Sequence, residues 1–223
     1  MKTSIKLLFV VIAVAISITG YSQKKVKPFK GVITYGITYE GEEIDAATQA
    51  QLPTEVVVSI LGSKVRNEQI SAFYSMVSIA NMEDGSTIIL IDAMGMKIAV
   101  NQSKEEVDAN IEEAGLEDPV IKYVDETKEI AGYTCKKAEV TSGEDMIEVY
   151  YTDAISVPSG MNDNNGFKGI EGVLMEYSVV QEGMIMIMTA KEVKKGKVNN
   201  GMFLIPDDYE VKSMEELGGM FGG

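Results

Sequence analysis

One cysteine, one arginine and no histidine set narrow limits on the chemistry open to this 223-residue chain. Without an imidazole there is no His-based zinc site, no Ser-His or Cys-His pair and no side chain that ordinarily titrates near neutrality. Cys135 closes no internal disulfide and completes no four-Cys metal site. A reactive thiolate would need a cation or a helix terminus to depress its pKa. Lys136 and Lys137 follow it in sequence without having to lie near the sulfur, so a buried, inert thiol is expected, with an intermolecular disulfide or lipid attachment as the alternatives.

Three thioethers in Met184-Ile-Met-Ile-Met188 repeat at period two and suit Cu(I), but no imidazole accompanies them. Ile185 and Ile187 make the other face apolar too, so the strand reads as core or as the wall of an apolar ligand cavity. Asn162-Asp-Asn-Asn-Gly166 looks like a calcium loop whose register fails: with Gly166 sixth, Met161 takes the first position, where a carboxylate belongs. The acid pairs Glu42-Glu43, Glu105-Glu106, Glu112-Glu113 and Asp207-Asp208 read as solvated surface. Nothing marks two carboxylates as facing each other across a cleft, as a glycosidase needs. No catalytic residue, metal or cofactor is expected.

Acids outnumber bases 34 to 20, for a net charge of −14. With Arg66 as the only guanidinium, clustered phosphate contacts are out of reach, and nucleic acid is excluded as a partner. Arg66 has two readings: a solvated ion pair on the sheet surface, or a guanidinium at a cavity mouth paired with a helix carboxylate.

The elements that must position these groups are mostly strands. Phe29 to Tyr39 alternates, with Phe29, Ile33, Tyr35, Ile37 and Tyr39 on one face. Further strands are expected over 55–61, 64–70, 72–81, 87–92, 96–101, 119–124, 130–140, 146–152, 173–181 and 184–193. Gly62-Ser63, Asp84-Gly85, Met94-Gly95, Gly143-Glu144-Asp145 and Glu182-Gly183 supply turns. A short helix fits 45–52, stopped by Pro53. Ser103 to Ala114 predicts a longer one, with Ser103 and Glu106 as a capping box. Residues 156–172, rich in Gly, Asn and Pro, read as a functional loop or a subdomain boundary. Glu210 to Leu217 suggests a last short helix, with a frayed tail from about 218. The fold class is therefore mainly β: a large curved antiparallel sheet, an open half-barrel, with one or two covering helices.

Lys2 and Lys6 precede a 12-residue apolar run, Leu7 to Ile18, and Gly20-Tyr-Ser22 has the small residues of a signal-peptidase site. The run is short of the roughly 20 residues a bilayer span needs. Residues 1–22 read as a cleavable export signal and 23–223 as one domain, periplasmic or secreted, with no stable membrane span. No Cys follows the run, so the product is not expected to be a lipoprotein.

Two segments carry a family resemblance. Phe29-Lys-Gly-Val-Ile-Thr-Tyr35 and Glu129-Ile-Ala-Gly-Tyr-Thr-Cys-Lys-Lys-Ala138, with Gly62-Ser-Lys-Val-Arg66 between them, resemble the domain-of-unknown-function 4412 family of exported Bacteroidetes proteins. The resemblance implies a fold similar to the lipoprotein carriers of the LolA-like type, a half-barrel lidded by helices. That family has no established catalytic residues to carry over.

Two functions follow as expectations. The first is a non-enzymatic carrier of a hydrophobic ligand, such as lipid or a lipoprotein's acyl chain, in a cavity lined by Ile33, Tyr35, Ile37, Arg66, Met184, Met186 and Met188. The second is an envelope interaction module with a fully packed core, meeting another protein through its edges or loops. An unfilled apolar cavity distinguishes the first, and a filled interior the second.

Overall fold

Period-two alternation dominates the chain, and in the computed structural model it yields twelve strands in one sheet that is curved and not closed. The structure describes residues 28–41, 46–113, 118–143, 145–163, 166–181 and 184–221. In chain order the elements are β1 (Gly31–Gly41), α1 (Ala46–Gln49), β2 (Glu55–Leu61), β3 (Lys64–Ile70), β4 (Tyr74–Asn81), β5 (Thr87–Ala93), β6 (Met96–Gln102), α2 (Lys104–Glu113), β7 (Val120–Ile130), β8 (Tyr133–Ser142), β9 (Asp145–Thr152), β10 (Val173–Gln181), β11 (Met184–Lys195), β12 (Glu210–Lys212) and α3 (Met214–Phe221). The expected export signal, Glu42-Glu43 and Glu182-Gly183 lie outside the described residues.

The order across the sheet is β12-β6-β5-β4-β3-β2-β1-β11-β10-β9-β8-β7. Two antiparallel meanders, β1–β6 and β7–β11, are thus sewn together where β11 pairs with β1. The segment containing α2 carries the chain from one side of the sheet to β7 on the far edge. Among the described strands only β12 joins in parallel, against β6.

Apolar side chains pack on both faces. The larger core gathers Ile33 and Tyr35 of β1, Val56, Val58 and Ile60 of β2, and inward residues of β8 to β11. The smaller lies on the other face, where Val77, Ile79, Leu90 and Ala99 are covered by Val198 and Phe203 from the strap after β11.

The helix over 104–113 is held as its sequence dictates. The Ser103 backbone N–H donates to Glu106 at 2.7 Å, and the Glu106 N–H donates to Ser103 Oγ at 3.3 Å. Ser213 and Glu216 repeat the box at α3. The last helix therefore starts at Met214 rather than Glu210 and runs to Phe221, while Glu210–Lys212 pair as β12. β7 is also longer than expected. A bulge between Val124 and Thr127 lets it reach Ile130 through a polar stretch that lacks alternation.

Candidate functional site

The predicted cavity residues divide between the two faces. β1 and β11 are adjacent partners, with Ile37 opposite Met188, Tyr39 opposite Met186 and Gly41 opposite Met184. The two stripes share a face side by side, not across a space. Ile33, Tyr35, Ile37 and Met188 are buried, and Met184 and Met186 are half-buried.

Arg66 does not join them. It sits in the row Val32–Ser59–Arg66–Ile79, one residue out of step with Ile33 and Val58, and so faces the strap. Its guanidinium donates to the Met202 carbonyl at 3.1 Å and pairs with Glu68 at 3.1 Å. The only Arg is a clamp between sheet and strap; of its two readings the pairing with a nearby sheet acid is the one present, through Glu68 two residues away on β3, though the guanidinium is largely covered rather than solvated.

What fills the inner face is the 156–172 loop. Phe167 and Ile170 enter the main core, and Phe167 meets the Tyr177 ring edge-on at 5.4 Å. The Asn162 side chain, 5 % exposed, donates to the carbonyls of Ile170 at 2.8 Å and Gly172 at 3.1 Å. Its NH2 group is thereby committed to the loop's own backbone; Asn164 and Asn165 lie outside the described residues. Gly172 closes the loop at φ +96°, where a Cβ would lie 2.2 Å from the Thr152 carbonyl oxygen. Beneath the loop, Tyr35 crosses the core to donate to the Leu174 carbonyl at 2.9 Å.

A pocket between sheet and loop, lined by Tyr35, Val58, Asn67, Met161, Asn162 and Tyr177, measures about 40 Å³. Ligand sites for molecules of acyl-chain size begin near ~300 Å³. Burial pushes the Tyr35 hydroxyl well above its ordinary pKa, with Tyr177 adding to the effect, and pushes Tyr177 up to about 12. Cys135 is buried, its thiol donates to the Tyr133 carbonyl at 3.3 Å, and burial raises its pKa, the opposite of what a nucleophile needs.

Two larger clefts lie on the loop's outer side. One, of about 420 Å³, is lined by the loop itself from Asp153 to Gly172. The other, about 430 Å³, lies between the loop, the β4–β5 turn and α2. Their lysines are tied to acids: Lys168 to Asp118 at 2.7 Å, and Lys104 to Asp108. Asp153 in turn holds Lys136 at 2.6 Å. Sequence reasoning missed this partition, because the half-buried Met161 and the buried Phe167 and Ile170 follow no period.

The family whose model matches the chain is the N-glycanase peptide, N-terminal domain, over residues 33–217. This overturns the resemblance to the domain-of-unknown-function 4412 family and its LolA-like carriers. The segments behind that resemblance are a generic strand entry and the tight Ala131-Gly132 turn, which β geometry imposes on unrelated chains. Among solved structures, two crystal forms of PNGF-II are similar, each with a TM-score of 0.51 and 19 % identity. They cover 87 % and 85 % of this chain, which spans about a third of theirs (33 % and 31 %). LprF from Mycobacterium bovis is more distant, at TM-score 0.33 and 9 % identity over 81 % of this chain and 90 % of that one. No curated protein matches.

Proposed function

The chain belongs to the N-glycanase peptide N-terminal domain family, and on that premise we propose that it works outside the cytoplasm as a non-catalytic interaction module acting through its surface. The observation that carries this reading is the filled inner face. Phe167 and Ile170 join the core with Met161 packed against it, and the pocket beside them measures only about 40 Å³. The basic start and the 12-residue apolar run ending before Gly20-Tyr-Ser22 support the extracytoplasmic setting. This chain spans only about a third of the PNGF-II structures it resembles. On this reading the shared part places a larger assembly and leaves chemistry to what lies beyond it.

Titration of the exported protein with a fluorescent fatty acid tests the reading directly. The expected result is no saturable one-to-one uptake below about 10 μM, the affinity range of a working carrier site. Stoichiometric uptake would restore the carrier. Turnover of an N-glycopeptide by the purified chain would refute the non-catalytic assignment.

A further inference from the structure

Because pairing is antiparallel from β6 across to β7, alternate hairpin turns share one end of the sheet. The end where β1 finishes and β2 begins holds the β3–β4, β5–β6 and β8–β9 turns, with the start of β7 and the finish of β10. Its tips carry Ile70, Phe73, Met94, Val120, Met146 and Val180, all exposed, with Phe73 at 64 % and Met94 at 89 %. The opposite end carries Gly62-Ser63, Glu83-Asp84-Gly85-Ser86 and Ala131-Gly132 in its turns. Among the described residues no exposed large apolar side chain sits on those turns. Scattered exposed residues such as Tyr123, Leu204, Val211 and Met214 need no explanation, but the gathering of six others on the hairpin tips of one end does.

The β5–β6 turn shows that the rim is maintained against local preference. Met94 and Gly95 both have positive φ, +54° and +79°. Asn or Asp is the residue that fits the first of these positions, and a Met there has a steric cost while exposing its whole side chain. The Ala131-Gly132 turn at the other end has nearly the same geometry, +49° and +79°, with only a methyl group.

We propose that the apolar rim docks on a lipid bilayer with zwitterionic headgroups, its hairpin tips entering the interfacial layer. A protein partner recognises a compact, contiguous patch. These tips belong to separate hairpins strung from β6 to β7, with polar and charged residues such as Glu40, Glu55 and Ser71 between them. A fluid interface accepts each tip independently, and its grip scales with the apolar area buried. A net charge of −14 opposes anionic surfaces and leaves neutral ones.

The inference rests on the surface-acting reading above and is tested apart from it. The exported protein is co-sedimented with phosphatidylcholine vesicles and with vesicles one-third phosphatidylglycerol. Wild type should partition onto the first and more weakly onto the second at low salt. Phe73→Ser and Met94→Asn should each lower partition about tenfold, and together about a hundredfold. Met94→Asn also relieves the turn, so its melting temperature should not fall, which separates lost docking from lost folding. Ala131→Asn, in the same geometry at the other end, should leave partition unchanged.

The proposal is overturned if wild type ignores phosphatidylcholine or if Met94→Asn binds it as well as wild type does. It is equally overturned if the chain instead self-associates through the rim and Met94→Asn abolishes that. One-to-one fatty-acid uptake unaffected by Met94→Asn would sink the surface-acting reading without touching the rim.

Discussion

Asn162→Ala should unfasten the inner loop. Its amide alone bridges the Ile170 and Gly172 carbonyls, at 2.8 and 3.1 Å, in a site 5 % exposed. Removing the donor takes both carbonyls' partner away, and each such loss costs about 1–2 kcal/mol. The sum of about 2–4 kcal/mol corresponds to a melting point lower by about 5–15 °C for a chain of this length. Differential scanning calorimetry at pH 7 reads the shift.

Asn162→Asp sharpens the test, because it keeps the shape and reverses the polarity. Its carboxylate would face two carbonyl oxygens while buried, which raises its folded pKa above the unfolded value of about 3.9. The folded state then holds the proton more tightly, so stability is greatest below that pH and declines as pH rises through the folded pKa. Asn162→Asp should approach wild type only in acid. An Asn162→Ala protein melting within about 2 °C of wild type, or an Asn162→Asp protein indifferent to pH, would refute the fastening.

Met188→Ala, at a buried position, should cost about 2–5 kcal/mol in urea unfolding, and half-buried Met186→Ala clearly less; equal costs would mean the stripe is packed otherwise. Arg66→Ala should lose about 1.5–3 kcal/mol and speed proteolysis of the 196–209 strap, since the Met202 and Glu68 contacts go together; an unchanged cleavage rate would free Arg66 from that role. Tyr35 and Tyr177 are both held neutral by burial, Tyr177 to about 12. Their raised folded pKa values give stability that is full below the unfolded value near pH ~10 and is lost as pH rises toward the folded values, so unfolding followed by circular dichroism should advance over that window, and less so in Tyr177→Phe.

Local structure was legible where local rules decide it. The β1 alternation, the hairpin pair 55–61 and 64–70, and the Ser103–Glu106 box all appear within a residue or two of expectation. β7 was half-read, because an edge strand with both faces in water has no apolar period to show. β12 is three residues long and exists only because β6 offers an edge. The helix after Ser213 carried a capping box, but Gly218-Gly219 argued for fraying. Most costly was the loop: Gly and Asn suggested solvent, and only tertiary packing shows that Phe167 and Ile170 complete the core. Nor does any local pattern state that β1 pairs with β11, the pairing that sets the two stripes of matching parity side by side.

That pairing has a kinetic consequence. The β1–β6 meander can zip from contacts between neighbours in sequence as soon as it is synthesised. The second edge of β1, however, has Lys195 through Met184 as its partners, which appear only after β7 to β10. Until then a strand bearing Ile33, Tyr35 and Ile37 presents an open ladder of N–H and C=O groups, the template on which misassociation starts. Joining distant segments is also the slow step of a β topology, since loop-closure entropy is met before the contacts form. Newly made or newly refolding chains should therefore be most vulnerable to aggregation in the interval between closure of the first meander and arrival of β11.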